Sequence, residues 1–220
     1  TAAIGSLADR ISGLTQTERE KQQAIQVDAM ALSAVRVAAM APFAKLVATQ
    51  LRDLGMPHAK FIFGHAITEQ PGPQGVDQIR ALFSANADRA PAPLDKVASG
   101  GELSRVMLAL ISLAADSQDL PTVIFDEIDA GVSGEVADRV GTLMSCMGKQ
   151  RQVLAITHLP QIASKAQNHL LVTKATSENT VLTSISPLTM EQRVEAIAQM
   201  LSGRKLTKAA LENARVLLKG

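Results

Sequence analysis

The sequence predicts an α/β fold: a mainly parallel sheet flanked by helices, preceded by a helical segment and a β-hairpin. Three observations predict it. Apolar helical stretches alternate with short apolar strands between residues 103 and 157, the pattern of a parallel sheet with right-handed crossovers. Residues 1–56 carry helical spacing and no strand pattern. The turn-rich Gln70-Pro-Gly-Pro-Gln-Gly75 separates two strand-like runs, which makes an antiparallel pair.

Taken in order, Ile4, Leu7, Ile11 and Leu14 repeat at spacings of three and four, the seam pattern of a coiled coil. Glu18, Lys21 and Asp28 then fall where the seam would continue, so it stops early, and its exposed residues are available to pair with another copy. A second Ala-rich helical pattern runs from Ile25 to Leu54, with Pro42 placed to kink or break it. Gly55 and Pro57 end it. This gives a helical segment at 1–56 and a second domain at 57–220.

The hairpin is expected at Lys60 to Thr68 and Val76 to Ser84 around a loose loop, followed by a connector from Asn86 to Val97. Next come helix at Leu103 to Ala115, buried strand at Thr122 to Phe125, helix at Glu135 to Met147 and strand at Val153 to Thr157. Weaker strands at His169 to Thr173 and Val181 to Ile185 precede helices near Glu191 to Leu201 and Thr207 to Leu218.

With 220 residues, 46% of them hydrophobic, the chain is long enough for one sizeable core. Its net charge of +1, from 22 Lys plus Arg against 21 Asp plus Glu, gives no electrostatic reason for tight non-specific nucleic-acid binding. No apolar run is expected to approach the roughly 18 residues of a membrane span, and the start has no basic signal region. A cytoplasmic protein without a membrane partner is the expectation. Cys146, the single cysteine, falls in an apolar helical pattern and reads as a small core residue. With no Trp or Tyr and five scattered Phe, a platform for stacking bases is not expected.

Three short segments carry chemistry. Ser99-Gly-Gly-Glu102 opens a helix, and Ser99 with Glu102 fits a capping box. Gly100 and Gly101 in the first turn each cost about 1 kcal/mol relative to Ala. They read either as a tight packing contact or as bare backbone where first-turn N–H groups, the helix dipole and the Ser99 hydroxyl meet an anion such as a phosphate. Thr122 to Phe125, a strand expected to be buried on both faces, ends in Asp126-Glu127. Acids at the carboxyl end of a parallel strand lie at the edge where ligands bind. There Asp126 can hold Mg²⁺ and Glu127 can orient or deprotonate an attacking water. Asp129 and Gly131 add a third acid and a tight turn beside them. His158 ends the second buried strand at the same edge, within reach of a γ-phosphate, although a lone histidine there is also an ordinary loop residue.

In this order the segments resemble the motifs of ABC-type ATPases of the SMC, Rad50 and RecN group. Ser99-Gly-Gly-Glu-Leu-Ser-Arg105 resembles the signature motif, Thr122 to Glu127 the Walker B strand, Asp129 the D-loop acid and His158 the switch histidine. Within the group, Lys96 to Leu110, Phe125 to Gly131 and Thr157-His-Leu-Pro-Gln161 are most similar to the RecN family, bacterial ATPases of DNA double-strand-break repair and recombination. Leu54-Gly-Met-Pro57 and the Pro-rich hairpin loop also resemble that family where its coiled coil returns to the head. The likeness runs from about Leu32 to Gly220.

One departure is plain: the chain has no Gly-x-x-x-x-Gly-Lys-Ser/Thr, and Met147-Gly-Lys-Gln150 has the wrong spacing. The resemblance therefore implies the C-terminal lobe of an ABC-type head, preceded by a coiled-coil stub, with the phosphate-binding loop on an N-terminal portion. It implies ATP and Mg²⁺ as cofactors and no turnover by this chain alone. It also implies a second head in an ATP-dependent homodimer, DNA as a partner, and a bacterial cytoplasmic or nucleoid location. Ser99, Gly100, Gly101 and Glu102 would serve ATP on the opposite head. Asp126, Glu127, Asp129 and His158 belong to the head's own ATP site, with Asp126 supporting Mg²⁺, Glu127 polarising water and His158 on the γ-phosphate. A transporter's nucleotide-binding subunit and a non-enzymatic docking module are the alternatives.

Overall fold

The computed structural model describes residues 2–97, 99–126, 128–177, 180–203 and 205–219, with side chains outside 1–6 and 175–181. Glu127 and the side chains of Ile4 and Val181 thus lie outside the described residues. The chain forms two compact units, residues 1–49 with 58–97 and residues 50–57 with 98–220. The hairpin accordingly groups with the helical segment, whereas the sequence reading divided the chain between residues 56 and 57.

In the first unit, helix α1 (Ala2–Asp53) runs without the expected break at Pro42. Proline deletes a single rung of the backbone ladder, and the Ala-rich flanks are strong enough helix formers to continue on either side. Within Leu7–Asp53 one window reaches a mean hydropathy of 1.5, enough by length and composition to cross a membrane. That corrects the expectation that no run approaches such a length. Single charges at Arg36 and Lys45 interrupt the Ala- and Val-rich stretch and conceal it from a search for unbroken apolar runs.

The hairpin pairs β1 (Lys60–Gly72) with β2 (Gly75–Ser84) in the expected antiparallel sense, from Lys60↔Ser84 to Ile67↔Asp77. Its strands extend to Gly72 and Gly75, so the connection is a tight turn rather than a loose loop. The connector contains a short third strand, β3 (Ala92–Pro93), and a 3-10 turn at Leu94–Lys96. Phe61, Val76 and Phe83 are buried, and Phe63 stands edge-on to Phe61 with ring centroids 5.3 Å apart.

A polar knot ties hairpin to helix. The Ser33 hydroxyl donates to Asp77 Oδ1 at 2.5 Å, Arg36 donates to Asp77 Oδ2 at 2.9 Å, and His65 Nε2 lies 2.7 Å from Oδ1. These contacts, the Ser33 hydrogen bond first and then His65, lower the Asp77 pKa to about 2 against the opposing effect of burial.

The second unit begins with the end of α1. Gly55 adopts φ +81°, Met56 N–H donates to Leu51 O and Gly55 N–H to Arg52 O, and Leu51 and Met56 are both buried. These are the paired bonds of a Schellman cap, with its two flanking apolar residues buried, and only glycine enters its left-handed position without strain. Helix α2 (Gly100–Ser117) then leads to β4 (Thr122–Asp126), α3 (Gly134–Met147) and β5 (Gln152–Ile156). Strands β4 and β5 are parallel, in register from Thr122↔Gln152 to Asp126↔Ile156.

Two expectations are corrected here. The strands are covered on one face only: Val123 and Phe125 are buried, whereas Ile124, Leu154 and Ile156 are exposed. Cys146 is exposed. The buried stripe of α3 is Ala137, Val140, Gly141, Met144 and Met147, and residue 146 falls off it.

A short helix that the sequence reading omitted, α4 (Pro160–Lys165), begins with proline in the first turn, where its missing N–H costs nothing. Strands β6 (Leu170–Ser177) and β7 (Thr180–Pro187) form an antiparallel pair. Helix α5 (Met190–Ser202) opens with a full Thr189–Gln192 capping box, and α6 (Lys208–Lys219) packs on it through Ile197, Ala198, Ala210 and Ala214, with Ala163 of α4. Buried Arg193 donates to Ala166 O at 2.6 Å and Gln167 O at 3.2 Å, holding the chain that leaves α4.

Candidate functional site

The parallel register decides where the chemistry gathers. Because Asp126 pairs with Ile156, the two strands end level, and the segments that follow them, Ile128–Gly131 and Thr157–Leu159, leave from one edge. Asp126 is exposed and shares the open face with Ile124, since side chains alternate along a strand.

The turn after β4 is fastened to the loop after β5. Asp129 is 1% exposed, and its Oδ2 accepts a very short hydrogen bond from the Thr157 hydroxyl. Thr157 Oγ1 also accepts from Leu159 N–H at 3.0 Å. His158, between those two residues, is held with Nδ1 3.6 Å from Asp129 Oδ2 while 76% of its side chain remains exposed. The ring thus turns one nitrogen toward the carboxylate and leaves the rest open to a ligand.

The other side of the same turn meets the start of α2. Ser99 caps the helix, its hydroxyl accepting from Glu102 N–H at 3.5 Å, one half of the expected box. Here the two glycines separate in role. A Cβ on Gly100 would meet nothing within 4 Å, whereas a Cβ on Gly101 would lie 2.6 Å from Gly131 O. Gly101 is therefore a packing glycine, and Gly100 leaves bare backbone at an open helix start. Arg105 Nε donates back to Gly101 O at 3.1 Å, and burial lowers the pKa of its guanidinium.

The structure thus brings Asp126, Asp129 and His158 to one strand edge and sets Gly101, in the first turn that Ser99, Gly100 and Glu102 share, against Gly131. Glu127, the expected water-polarising acid, lies outside the described residues. Thr157 and the packing role of Gly131 were missed by sequence reasoning. Thr157 sits directly before the singled-out histidine, which was the available signal. Among the described residues no group of three or more His, Cys, Asp or Glu could hold a metal. Mg²⁺ is commonly held by one or two carboxylates completed by phosphate oxygens and water, so Asp126 fits as a single protein ligand.

No family model matches the chain. It is 40% identical to the DNA repair protein RecN of Deinococcus radiodurans over 97% of its length. Identity is 36% over 93% for RecN of Haemophilus influenzae, and 42% over 85% for RecN of Rickettsia conorii. It spans 39%, 37% and 34% of those relatives' lengths, respectively. Among solved structures, the Smc head domain with a coiled coil and joint from Pyrococcus yayanosii matches at a TM-score of 0.57 and 21% identity, over 91% of this chain and 38% of that one. A chain from work on ATP-driven dimerization and DNA stimulated activation of SMC ATPases matches at 0.54 and 17%, over 78% and 99%. The fold is that of an SMC head, and by sequence the chain belongs to the RecN family, spanning well under half the length of these relatives.

Proposed function

We propose that this chain is the C-terminal part of a RecN-like ATPase of DNA repair and supplies parts of two ATP sites. The observation that carries the reading is the level ending of β4 and β5, with Asp126 on one strand and Thr157–His158 following the other. Asp126 is a ligand for Mg²⁺, which would neutralise phosphate charge and orient the phosphates when bound. Glu127 polarises water, and exposed His158 donates to a phosphate oxygen, with Asp129 beside its other nitrogen. Ser99 and Gly100 present an open helix start, suited by its free N–H groups and dipole to phosphate on a second head.

The remaining phosphate ligands come from a P-loop portion of the same head. The open sheet face with Ile124, Leu154 and Ile156 accords with a further layer packing there, since exposed apolar sheet surface is costly to leave in water. ATP-driven pairing of heads, DNA as the object of repair and a location with the bacterial nucleoid follow from this reading. The RecN relatives speak against the transporter alternative.

The test is ATP hydrolysis by this chain mixed with a P-loop portion of a RecN relative. Turnover that appears on mixing and is lost in Asp126→Asn supports the reading, and assembly without hydrolysis in any mixture contradicts it.

A further inference from the structure

We propose that Thr157 is a positioning residue whose hydroxyl locks the turn after β4 to the loop after β5 and so fixes His158. The inference rests on the ATPase reading of this site. Its two hydrogen bonds straddle the histidine: Oγ1 donates to Asp129 Oδ2 on one side and accepts from Leu159 N–H on the other. Asp129 is 1% exposed, and its Oδ1 has no hydrogen-bond partner among the described residues. The hydroxyl is therefore the side-chain donor on which this buried carboxylate depends, and a buried carboxylate left without it is strongly disfavoured. Without the hydroxyl, Asp129 must swing toward water, and His158, 3.6 Å away, loses its reference point. A valine at 157 keeps the shape of the side chain and removes both the donor to Asp129 and the acceptor for Leu159 N–H.

Two measurements test this together. In the full-length protein, Thr157→Val is expected to lower kcat about tenfold with KM for ATP within about twofold, and Thr157→Ser to restore kcat to within about twofold. Added to His158→Ala, Thr157→Val should cause no further loss, because the two act as one unit. In the present chain, ¹⁵N shifts of the His158 imidazole should change in Thr157→Val and return in Thr157→Ser. Unchanged imidazole shifts in the valine variant, equal impairment of both variants, or losses that add to His158→Ala would overturn the proposal. If the wild type itself turns over no ATP, the ATPase reading fails, and the imidazole shifts alone decide the lock.

Discussion

Gly101 and Gly131 meet backbone to backbone: a Cβ on the first would stand 2.6 Å from the carbonyl oxygen of the second. Gly131 itself holds φ +74°, a left-handed conformation that favours glycine. The turn carrying Asp129 is thus pressed against the start of α2 on one side and bonded to Thr157 on the other. Any displacement of this turn is felt by both groups of proposed ATP-site residues.

The two adjacent glycines should respond differently to the same change. Gly101→Ala places a methyl against backbone that cannot rotate away and is expected to destabilise the chain by about 1–3 kcal/mol, the usual range for overpacking. Gly100→Ala points into open space and should leave stability unchanged or raise it by up to about 1 kcal/mol, the gain in helix propensity. Urea denaturation of both variants measures this, and equal midpoints would mean that the contact with Gly131 is absent.

The Asp77 knot predicts an acid-range dependence. The folded pKa of about 2 lies below the ordinary 3.8, so the unfolded chain takes up the proton first as pH falls. The contribution is complete above about 3.8 and is lost as pH falls through about 2. Thermal midpoints of wild type and Asp77→Asn should therefore converge over that interval. A constant difference across it would show that the carboxylate charge is not what holds the hairpin.

His169 acts at milder pH and with the opposite chemistry. Burial, and then the nearby Arg193 charge, lower its pKa below 6.5 in the folded protein. Below 6.5 the unfolded state binds the extra proton, so stability falls as the solution is acidified from pH 7 to 5 and is level with respect to this group above. His169→Asn should flatten that slope in a series of melting curves, and an unchanged slope would place its origin elsewhere.

Cys146 is exposed, so a maleimide should label the native chain to completion without denaturant. Cys146→Ser should shift stability by less than about 0.5 kcal/mol, as expected for a surface position. Labelling only after unfolding would restore the core position that the helical pattern of α3 first implied.

The parallel strands, the hairpin, the helix stop at Gly55 and the caps at Ser99 and Thr189 are local, written in spacing and in turn or capping residues. The gathering of Asp126, Asp129 and His158 at one strand edge was legible because acids and a histidine follow apolar runs that end level. Other features depend on what lies across space. Whether Ile124 is covered depends on a layer that a strand pattern cannot report. That Gly101 serves packing depends on Gly131, thirty residues away in sequence. The Thr157 bond to Asp129 joins two loops and leaves no periodic trace. The continuity of α1 through Pro42 reflects flanking helix strength that outweighs one missing rung.

The central claim is that this chain holds parts of ATP sites and needs a P-loop portion to complete them. Steady-state ATP hydrolysis by the purified chain, measured alone and then with a P-loop portion added, tests it most directly. The proposed sites require no turnover alone, turnover on mixing, and its loss in Glu127→Gln. Turnover by the chain alone that Glu127→Gln abolishes would contradict it.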